Sequence, residues 1–266
     1  MKKRFRELDQ FLAEYMPTVT RKMFLVCLVV FVVLTVLRLV GMAVPLVGEV
    51  ATRAFILRPD QVLFQGHVWQ LVTCVFAHTN VLHLFFNLLG LFFFGPMVEH
   101  AIGSRRFAWM ALLCGVAGAL AHVIVFMIAR MPGVGLLGFS GALYGIITFA
   151  VILFPRAEIL FWFIPMQLRV FALFMGLLLL GLLVADAGML AQGGMGSGVS
   201  NLAHAAGVLM AIMLWKAPGV LDYLQQFVMP VFLRKKAKVV KLGMGHPGRH
   251  TDPDDRYDDP HWRLDQ

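Results

Sequence analysis

Long runs of apolar residues alternate with short polar segments between positions 23 and 217 of the chain. A helix that crosses a membrane needs about 20 mostly apolar residues. We predict six such helices, with approximate boundaries at residues 23–44, 81–98, 107–129, 139–154, 168–185 and 200–215. The pattern therefore predicts an all-α membrane protein that is built as a bundle of six transmembrane helices.

The connections between the predicted helices differ in length and composition. Residues 45–80 form a long polar connection with an amphipathic stretch at 68–76, and residues 156–167 form a short loop. Five glycines between positions 188 and 198 suit a mobile connector before the sixth helix. The predicted domains are an N-terminal cytoplasmic segment (1–22), a membrane domain (23–217), and a cytoplasmic amphipathic segment with a polar tail (218–266).

Composition supports a membrane protein without bound metal. Hydrophobic residues make up 59% of the chain and charged residues 14%, whereas a soluble domain carries roughly 25% charged residues. The chain has three cysteines, and Cys27 and Cys114 lie inside apolar runs, so we expect neither a disulfide framework nor a zinc site. The histidines of the tail lack the spacing of metal ligands. We expect no metal and no cofactor.

The net charge of +8 bears on orientation, because the basic residues lie at the two ends and in short loops. One side of the predicted bundle holds the N-terminus, the tail from Lys216 onward, and the loops with Arg105, Arg106, Arg156 and Arg169. The other side holds Arg53, Arg58 and Arg130. We therefore predict that both termini are cytoplasmic, which an even number of spans allows. We expect a bacterial inner membrane protein that does not bind nucleic acid.

Polar residues occur inside three predicted helices, where they are costly and by default indicate function. They are His83 and Asn87 in the second helix, Ser140 and Tyr144 in the fourth, and Ser200, Asn201 and His204 in the sixth. With both termini on one side, these three helices run in the same direction, and each polar group lies within the first two turns. We therefore expect the groups to meet at one depth, in the outer half of the bilayer.

Small residues indicate how two of these helices come together. Ser140 and Tyr144 are four residues apart and share a helix face. Stripes of small residues let membrane helices approach closely. Such stripes run beside that face and along the sixth helix, at Gly141, Gly145, Ala203, Gly207 and Ala211. If the two stripes face each other, Ser140 and His204 come within hydrogen-bonding reach.

The chemistry of these side chains favours acyl transfer. A serine hydroxyl becomes an effective nucleophile when a base accepts its proton, and His204 can serve Ser140 in this way. The developing oxyanion needs hydrogen-bond donors. His83 and Asn87 lie one turn apart and can point at one spot, and the backbone N–H of Ser140 is free at a helix start.

Other residues support this arrangement. Gly138 and Gly141 flank the nucleophile and permit a tight turn and close approach of a substrate. Tyr144 is expected to orient His204 by ring packing. Asp186, at the outer end of the fifth helix, is the one acidic candidate at this depth, and we do not expect it to partner His204.

At these residues the sequence resembles the rhomboid family of intramembrane proteases. The fourth helix of rhomboids opens with Gly-x-Ser-Gly followed by Tyr-Gly, the second carries His-x4-His-x3-Asn, and the sixth carries Ala-His-x-x-Gly. The matching segments here are Gly138-Phe139-Ser140-Gly141 with Tyr144-Gly145, then His78, His83 and Asn87, then Ala203-His204-Ala205-Ala206-Gly207. The resemblance covers about residues 69–215.

The resemblance implies a rhomboid-like bundle with a Ser140–His204 catalytic dyad and no metal. It implies an oxyanion site formed by the Ser140 amide with His83 and Asn87, and the matched motif residues Tyr144, Gly138, Gly141 and Gly207 are taken as supporting. The expected partners are membrane lipid and transmembrane substrate proteins, which a rhomboid cleaves near the outer face. Rhomboids are thought to admit substrate laterally between the second and fifth helices.

Three positions depart from the family pattern. Gln70 follows Trp69 where rhomboids often have Arg, Ala101 stands where an Arg often follows Glu99, and Ala211 replaces a glycine. These positions bear on packing more than on chemistry.

Two other functions stay open. An inactive relative would bind membrane proteins without cutting them, although such relatives typically lose the serine or the histidine. A transporter or channel would hold a polar site at the membrane midplane. The sequence shows neither an internal repeat nor paired carboxylates, and its polar groups lie off-centre.

Overall fold

The computed structural model describes residues 15–161, 163–192, 201–224 and 226. Internal contacts divide the chain into two units, Met1–Gln226 and Phe227–Gln266, and the described residues belong to the first. The predicted polar tail lies outside the described residues, as do Ser200 and four of the five connector glycines.

The described part of the chain is mostly helical, with a two-stranded sheet between two helices. The helices before the sheet are α1 (Thr18–Ala43), α2 (Pro45–Phe55), α3 (Pro59–Phe64), α4 (Gln70–Phe76), α5 (Val81–Ile102), α6 (Ser104–Ile128) and α7 (Ser140–Leu153). The sheet consists of β1 (Glu158–Phe161) and β2 (Ile164–Gln167), and it is followed by α8 (Leu168–Ala191), α9 (Asn201–Lys216) and α10 (Pro218–Tyr223).

The six predicted apolar helices correspond to α1, α5, α6, α7, α8 and α9. Four of them, α1, α5, α6 and α8, are long and apolar enough to cross a membrane. Helices α7 and α9 have 14 and 16 residues. At about 1.5 Å per residue they are roughly 21–24 Å long, shorter than the ~30 Å hydrocarbon core of a bilayer. A helical membrane fold is confirmed, and the number of spans stays a prediction.

A buried carboxylate fixes the start of α1. Glu99, near the end of α5, accepts hydrogen bonds from the backbone N–H groups of Val19 (2.9 Å) and Thr20 (2.7 Å) and from the hydroxyl of Thr20 (2.7 Å). The hydroxyl of Ser104 at the start of α6 donates a fourth bond of 2.6 Å. Because Glu99 satisfies free N–H groups and complements the helix dipole, α1 begins at Thr18, five residues earlier than the predicted boundary at 23.

Contacts show which helix ends lie together. Glu99 joins the start of α1 to the α5–α6 junction. Arg106 in the first turn of α6 forms an ion pair of 2.6 Å with Asp222 of α10, just after the end of α9. The start of α1, the α5–α6 junction and the end of α9 therefore share one end of the bundle. The starts of α5 and α9 lie at the opposite end.

Helices α6, α7 and α9 pack through small residues. A Cβ added to Gly207 of α9 would overlap the carbonyl oxygen of Gly141 of α7. A Cβ added to Gly118 of α6 would lie 2.8 Å from the carbonyl oxygen of Ala203. The predicted contact between the two small-residue stripes is therefore present at Gly141 and Gly207.

Gly145 has a second neighbour besides the predicted one. A Cβ at this position would lie 2.6 Å from the Cβ of Cys114 on α6, whereas the nearest atom of α9, the carbonyl oxygen of Gly207, would be 3.4 Å away. Gly145 therefore faces the sixth helix, as predicted, and in addition packs tightly on α6. Both glycines lie between α6 and α9: Gly141 is nearer to α9, and Gly145 is nearer to α6.

A neutral side chain organises the connection between α1 and α5. The amide nitrogen of Gln70, which is fully buried, donates to the carbonyl of Arg53 (2.8 Å) and to Oε1 of Gln61 (2.7 Å). Its amide oxygen accepts from the backbone N–H of Arg58 at 3.1 Å. Gln70 thus joins α2, α3 and α4. The connection is well packed although Gln70 stands where the family pattern often has Arg.

Two features of the α7–α8 region differ from the sequence prediction. Residues 156–167, predicted to be a loop, contain an antiparallel hairpin with the register Glu158↔Gln167 to Phe161↔Ile164. Its strands have four residues each, too short for a clear alternating pattern. Helix α8 continues to Ala191, beyond the predicted end at 185, and includes Gly188.

We expect Glu99→Ala to lower the melting temperature of the protein in detergent. The change leaves the buried N–H groups of α1 without their acceptor, and each unsatisfied group costs about 1–3 kcal/mol. Glu49→Ala is the control, because Glu49 forms an exposed ion pair with Arg53, worth roughly 0.3–0.5 kcal/mol on a helix. Equal melting temperatures for the two variants would contradict the anchoring role of Glu99.

We expect Gly145→Ala to destabilise the bundle by about 1–3 kcal/mol, because the added methyl group overpacks the contact with Cys114. A second change, Cys114→Gly, removes the opposing atoms and should recover part of this loss in a double-mutant cycle. Gly176→Ala is the control, since a Cβ there meets nothing within 4 Å. Additive effects of the two changes on unfolding would rule out the contact.

Candidate active site

The structure brings the predicted nucleophile and base together. Ser140 is the first residue of α7, and His204 lies in the first turn of α9. The Oγ atom of Ser140 is 2.7 Å from Nε2 of His204. In the tautomer with the proton on Nδ1, Nε2 accepts the hydroxyl hydrogen of Ser140. This is the pairing that a serine nucleophile needs for activation.

Ring packing holds the imidazole of His204. The ring of Tyr144, one turn after Ser140, stacks on it with centroids 4.5 Å apart and planes 10° apart. Nδ1 of His204 is buried and makes no hydrogen bond within the described part of the chain. The described contacts of this ring are the stack with Tyr144, which has the geometry of the predicted ring packing, and the contact with Ser140.

Asp186 forms a hydrogen bond with a residue next to the dyad. Its Oδ2 atom accepts a hydrogen bond of 2.8 Å from the side-chain amide of Asn201. Asn201 is buried on α9, one turn before His204. The carboxylate thus links α8 to α9 next to the dyad.

The turn before Ser140 requires glycine. Gly138 has a φ of 126°, in the region that disfavours L side chains. A Cβ there would also lie 2.6 Å from Cε1 of His83. The backbone N–H of Gly138 donates to the carbonyl of Cys74 at 2.9 Å. The predicted tight turn is present, and it brings the backbone against the imidazole of His83.

His78 holds this turn from the other side, a role that sequence reasoning missed. Its Nε2 atom accepts the backbone N–H of Phe139 at 3.3 Å, and its ring contacts His83 edge to face with centroids 5.0 Å apart. Burial, and after it the neighbouring His83, lowers the pKa of His78 to about 4, which keeps Nε2 able to accept. The spacing of His78 and His83 in the sequence was the available signal.

Asn87 bonds within its own helix. Its side-chain nitrogen donates to the carbonyl of His83 at 2.8 Å, and its Oδ1 atom is buried without a hydrogen bond among the described residues. The side-chain amide has two hydrogens, and the bond to the His83 carbonyl uses one of them, so the other can donate elsewhere. The described contacts thus bring His83 to the nucleophile turn, whereas those of Asn87 are to α5.

A model of the Rhomboid domain matches residues 65–217, which include all the predicted site residues. The chain belongs to the rhomboid family. Together with its long apolar helices, this identifies it as an integral membrane protein.

Curated relatives of this rhomboid come from plants, fungi and bacteria. It is 29% identical to RHOMBOID-like protein 12, mitochondrial, of Arabidopsis thaliana over 164 residues, which cover 56% of this chain and 46% of the relative. It is 35% identical to Rhomboid protease GluP of Bacillus subtilis over 92 residues, 35% of this chain and 17% of the relative. It is 33% identical to Rhomboid protein 1, mitochondrial, of Saccharomyces cerevisiae over 96 residues, 36% and 28% of the two chains. The chain spans less than half the length of these relatives.

We expect His78→Phe to slow covalent labelling of Ser140 by a fluorophosphonate about tenfold. The variant keeps an aromatic ring but leaves the N–H of Phe139 unpaired, a loss of about 1–3 kcal/mol. His78→Gln keeps an acceptor and should label faster than His78→Phe. Labelling of the folded Phe variant at the wild-type rate would show that His78 does not position the nucleophile.

Proposed function

We propose that this rhomboid is an intramembrane serine endopeptidase that cleaves transmembrane segments of single-span membrane proteins. The observation that carries the proposal is the 2.7 Å contact between Oγ of Ser140 and Nε2 of His204 on two closely packed helices. Two relatives in Bacillus subtilis are named Rhomboid protease GluP and Putative rhomboid protease YdcA, which supports a proteolytic activity.

In the proposed reaction, Oγ of Ser140 attacks the carbonyl carbon of the scissile peptide while Nε2 of His204 takes the hydroxyl proton. The oxyanion accepts hydrogen bonds from the backbone N–H of Ser140 and from His83 and Asn87. The imidazolium then gives its proton to the leaving nitrogen as the C–N bond breaks. The stacked ring of Tyr144 keeps the imidazole in position while it carries the charge.

Hydrolysis of the acyl-enzyme completes the cycle. His204 takes a proton from a water molecule, whose oxygen attacks the ester carbonyl, and the proton returns to Oγ of Ser140 when the ester bond breaks. Water must therefore reach the site. Since α7 and α9 are about 6–9 Å shorter than the hydrocarbon core, their first turns begin below the membrane surface if their other ends reach the opposite boundary.

The proposed membrane arrangement has six spans and two cytoplasmic termini. It keeps the organisation of N-terminal segment (1–22), membrane domain (23–217) and C-terminal region (218–266). Two observations support it. The start of α1 and the end of α9 lie at the same end of the bundle, and Lys and Arg are concentrated on one side of the predicted membrane domain. The relatives include mitochondrial, chloroplastic and bacterial proteins, and we propose the bacterial inner membrane for this chain.

The test is cleavage in proteoliposomes of a panel of single-span proteins, with mass mapping of the products. We expect Ser140→Ala and His204→Ala to lower the rate by about 10³-fold or more, because each removes half of the dyad. Both variants should keep the wild-type melting temperature. Thr148→Ala is the control: it removes a hydroxyl from the same helix, where it bonds the carbonyl of Tyr144 at 2.8 Å.

Two outcomes would sink the proposal. Near-normal cleavage by either dyad variant would exclude the Ser–His mechanism. If the folded wild-type protein neither cleaves the panel nor reacts with a fluorophosphonate, the chain is a membrane-protein-binding relative without catalysis.

A further inference from the structure

The β1–β2 hairpin has one packed face and one exposed apolar surface. Ile159, Phe161 and Met166 pack against the hydrophobic core of the bundle. Three other apolar residues near the turn are turned outward, namely Leu160, Phe163 and Ile164, with exposures of 68%, 88% and 60%. An isolated hairpin is marginally stable in water, so the packed face accounts for its formation. Its outward surface needs a separate explanation.

Aromatic contacts show where the hairpin lies along the bundle. The ring of Phe161 lies 5.3 Å from that of Phe171 and 6.2 Å from that of Phe174, both on α8. Phe171 in turn stacks on Phe94 of α5 at 5.8 Å. Phe174 is six residues into α8, about 9 Å along the helix axis. The hairpin therefore folds back beside the first two turns of α8.

The length of α8 relates this position to a bilayer. The helix has 24 residues, about 36 Å, and exceeds the ~30 Å hydrocarbon core by roughly one turn. If the extra turn is the first one, beside the basic residues at the start of α8, it lies in the headgroup region and the second turn enters the acyl chains. Leu173 and Phe174 are exposed on this part of α8 and face the surroundings of the bundle. With that placement, the hairpin turn lies at the boundary between headgroups and acyl chains.

Polarity along the hairpin follows the same direction. Its open end, next to the start of α8, carries the exposed residues Arg156, Glu158 and Arg169. Nε of Arg169 donates to Oε1 of Gln167 at 2.7 Å, which directs this side chain along β2. Two guanidinium groups against one carboxylate leave a net positive charge, suited to lipid phosphates. The turn end is apolar.

We propose that the hairpin is a lipid anchor. Leu160, Phe163 and Ile164 insert at the level of the glycerol and upper acyl chains, and Arg156 and Arg169 bind the phosphates of anionic headgroups. Open strand edges are not tolerated in the hydrocarbon core, so insertion ends at this boundary. Phe163 has a φ of 67°, which is unfavourable for an aromatic residue, and burial of its ring in lipid offsets that strain.

The test places a fluorescent label at two sites of the hairpin, through Phe163→Cys at the turn and Glu158→Cys at the open end. The native cysteines Cys27, Cys74 and Cys114 are buried, so a polar maleimide probe selects the new thiol. The labelled full-length protein is reconstituted in vesicles of phosphatidylcholine and phosphatidylglycerol at 3:1. Quenching is measured with iodide in water and with a lipid carrying a nitroxide near the top of its acyl chain.

We expect the label at position 163 to be quenched by the nitroxide lipid and to be at least roughly threefold less sensitive to iodide than the label at 158, because aqueous ions do not enter the acyl region. Equal iodide quenching at the two positions would overturn the proposal. Protection from both quenchers at 163 would also overturn it, since a protein surface would then cover the hairpin.

The headgroup contact has its own test. In the labelled protein with both arginines, we expect nitroxide quenching at 163 to increase with the fraction of phosphatidylglycerol in the vesicles. This dependence should be lost when Arg156→Gln and Arg169→Gln are combined. Arg105→Gln, an exposed arginine at the α5–α6 junction, is the matched control and should keep the dependence. If the double variant keeps it too, the phosphate contact is refuted. These measurements do not involve cleavage, so they can succeed or fail independently of the proposed protease activity.

Discussion

The contact between Gly207 of α9 and the carbonyl group of Gly141 of α7 is the constraint on which the candidate site depends. No side chain larger than hydrogen fits at position 207 while this distance is kept. The two helices therefore approach at backbone distance, at the residue next to Ser140 on α7 and one turn after His204 on α9. A hydrogen bond between two short side chains on separate helices needs such an approach, and the 2.7 Å distance between Oγ and Nε2 follows from it.

The same region achieves precision with few charges. His78 accepts from the Phe139 amide, Gly138 packs on His83, and Tyr144 stacks on His204. Each of these contacts uses a neutral ring or the main chain, which avoids the cost of charge in an apolar environment. The buried carboxylate of Glu99 is the contrasting case. It is stabilised by several donors at the other end of the bundle, where it joins three helices.

The sequence predicts the features that follow from hydrophobic periodicity and from the free-energy cost of placing polar groups inside a membrane. Six apolar helices, the tight turn at Gly138 and the approach of Ser140 to His204 were predictable, because polar groups at matched depth and small residues at helical spacing leave few arrangements. The contact of Gly145 with Cys114 was not, since a stripe of small residues does not say which of two neighbours it meets. The hydrogen bonds of Glu99 and Gln70 were not predictable, because they join segments that are far apart in sequence. The hairpin was not predictable either, because strands of four residues are too short to show a clear alternating pattern.

Helix α8 is attached unevenly. Its buried side chains, Leu168, Phe171 and Leu179, lie in its first half, and over residues 180–190 no side chain is fully buried. The first half is clamped by stacked rings, and near the far end Asp186 bonds Asn201. The first half of the helix is therefore held more firmly than the second half. A sideways load on the second half acts on polar contacts such as the bond between Asp186 and Asn201, whereas moving the first half would separate an aromatic cluster. The half of α8 that lies near the dyad is therefore the half that separates more easily from the bundle.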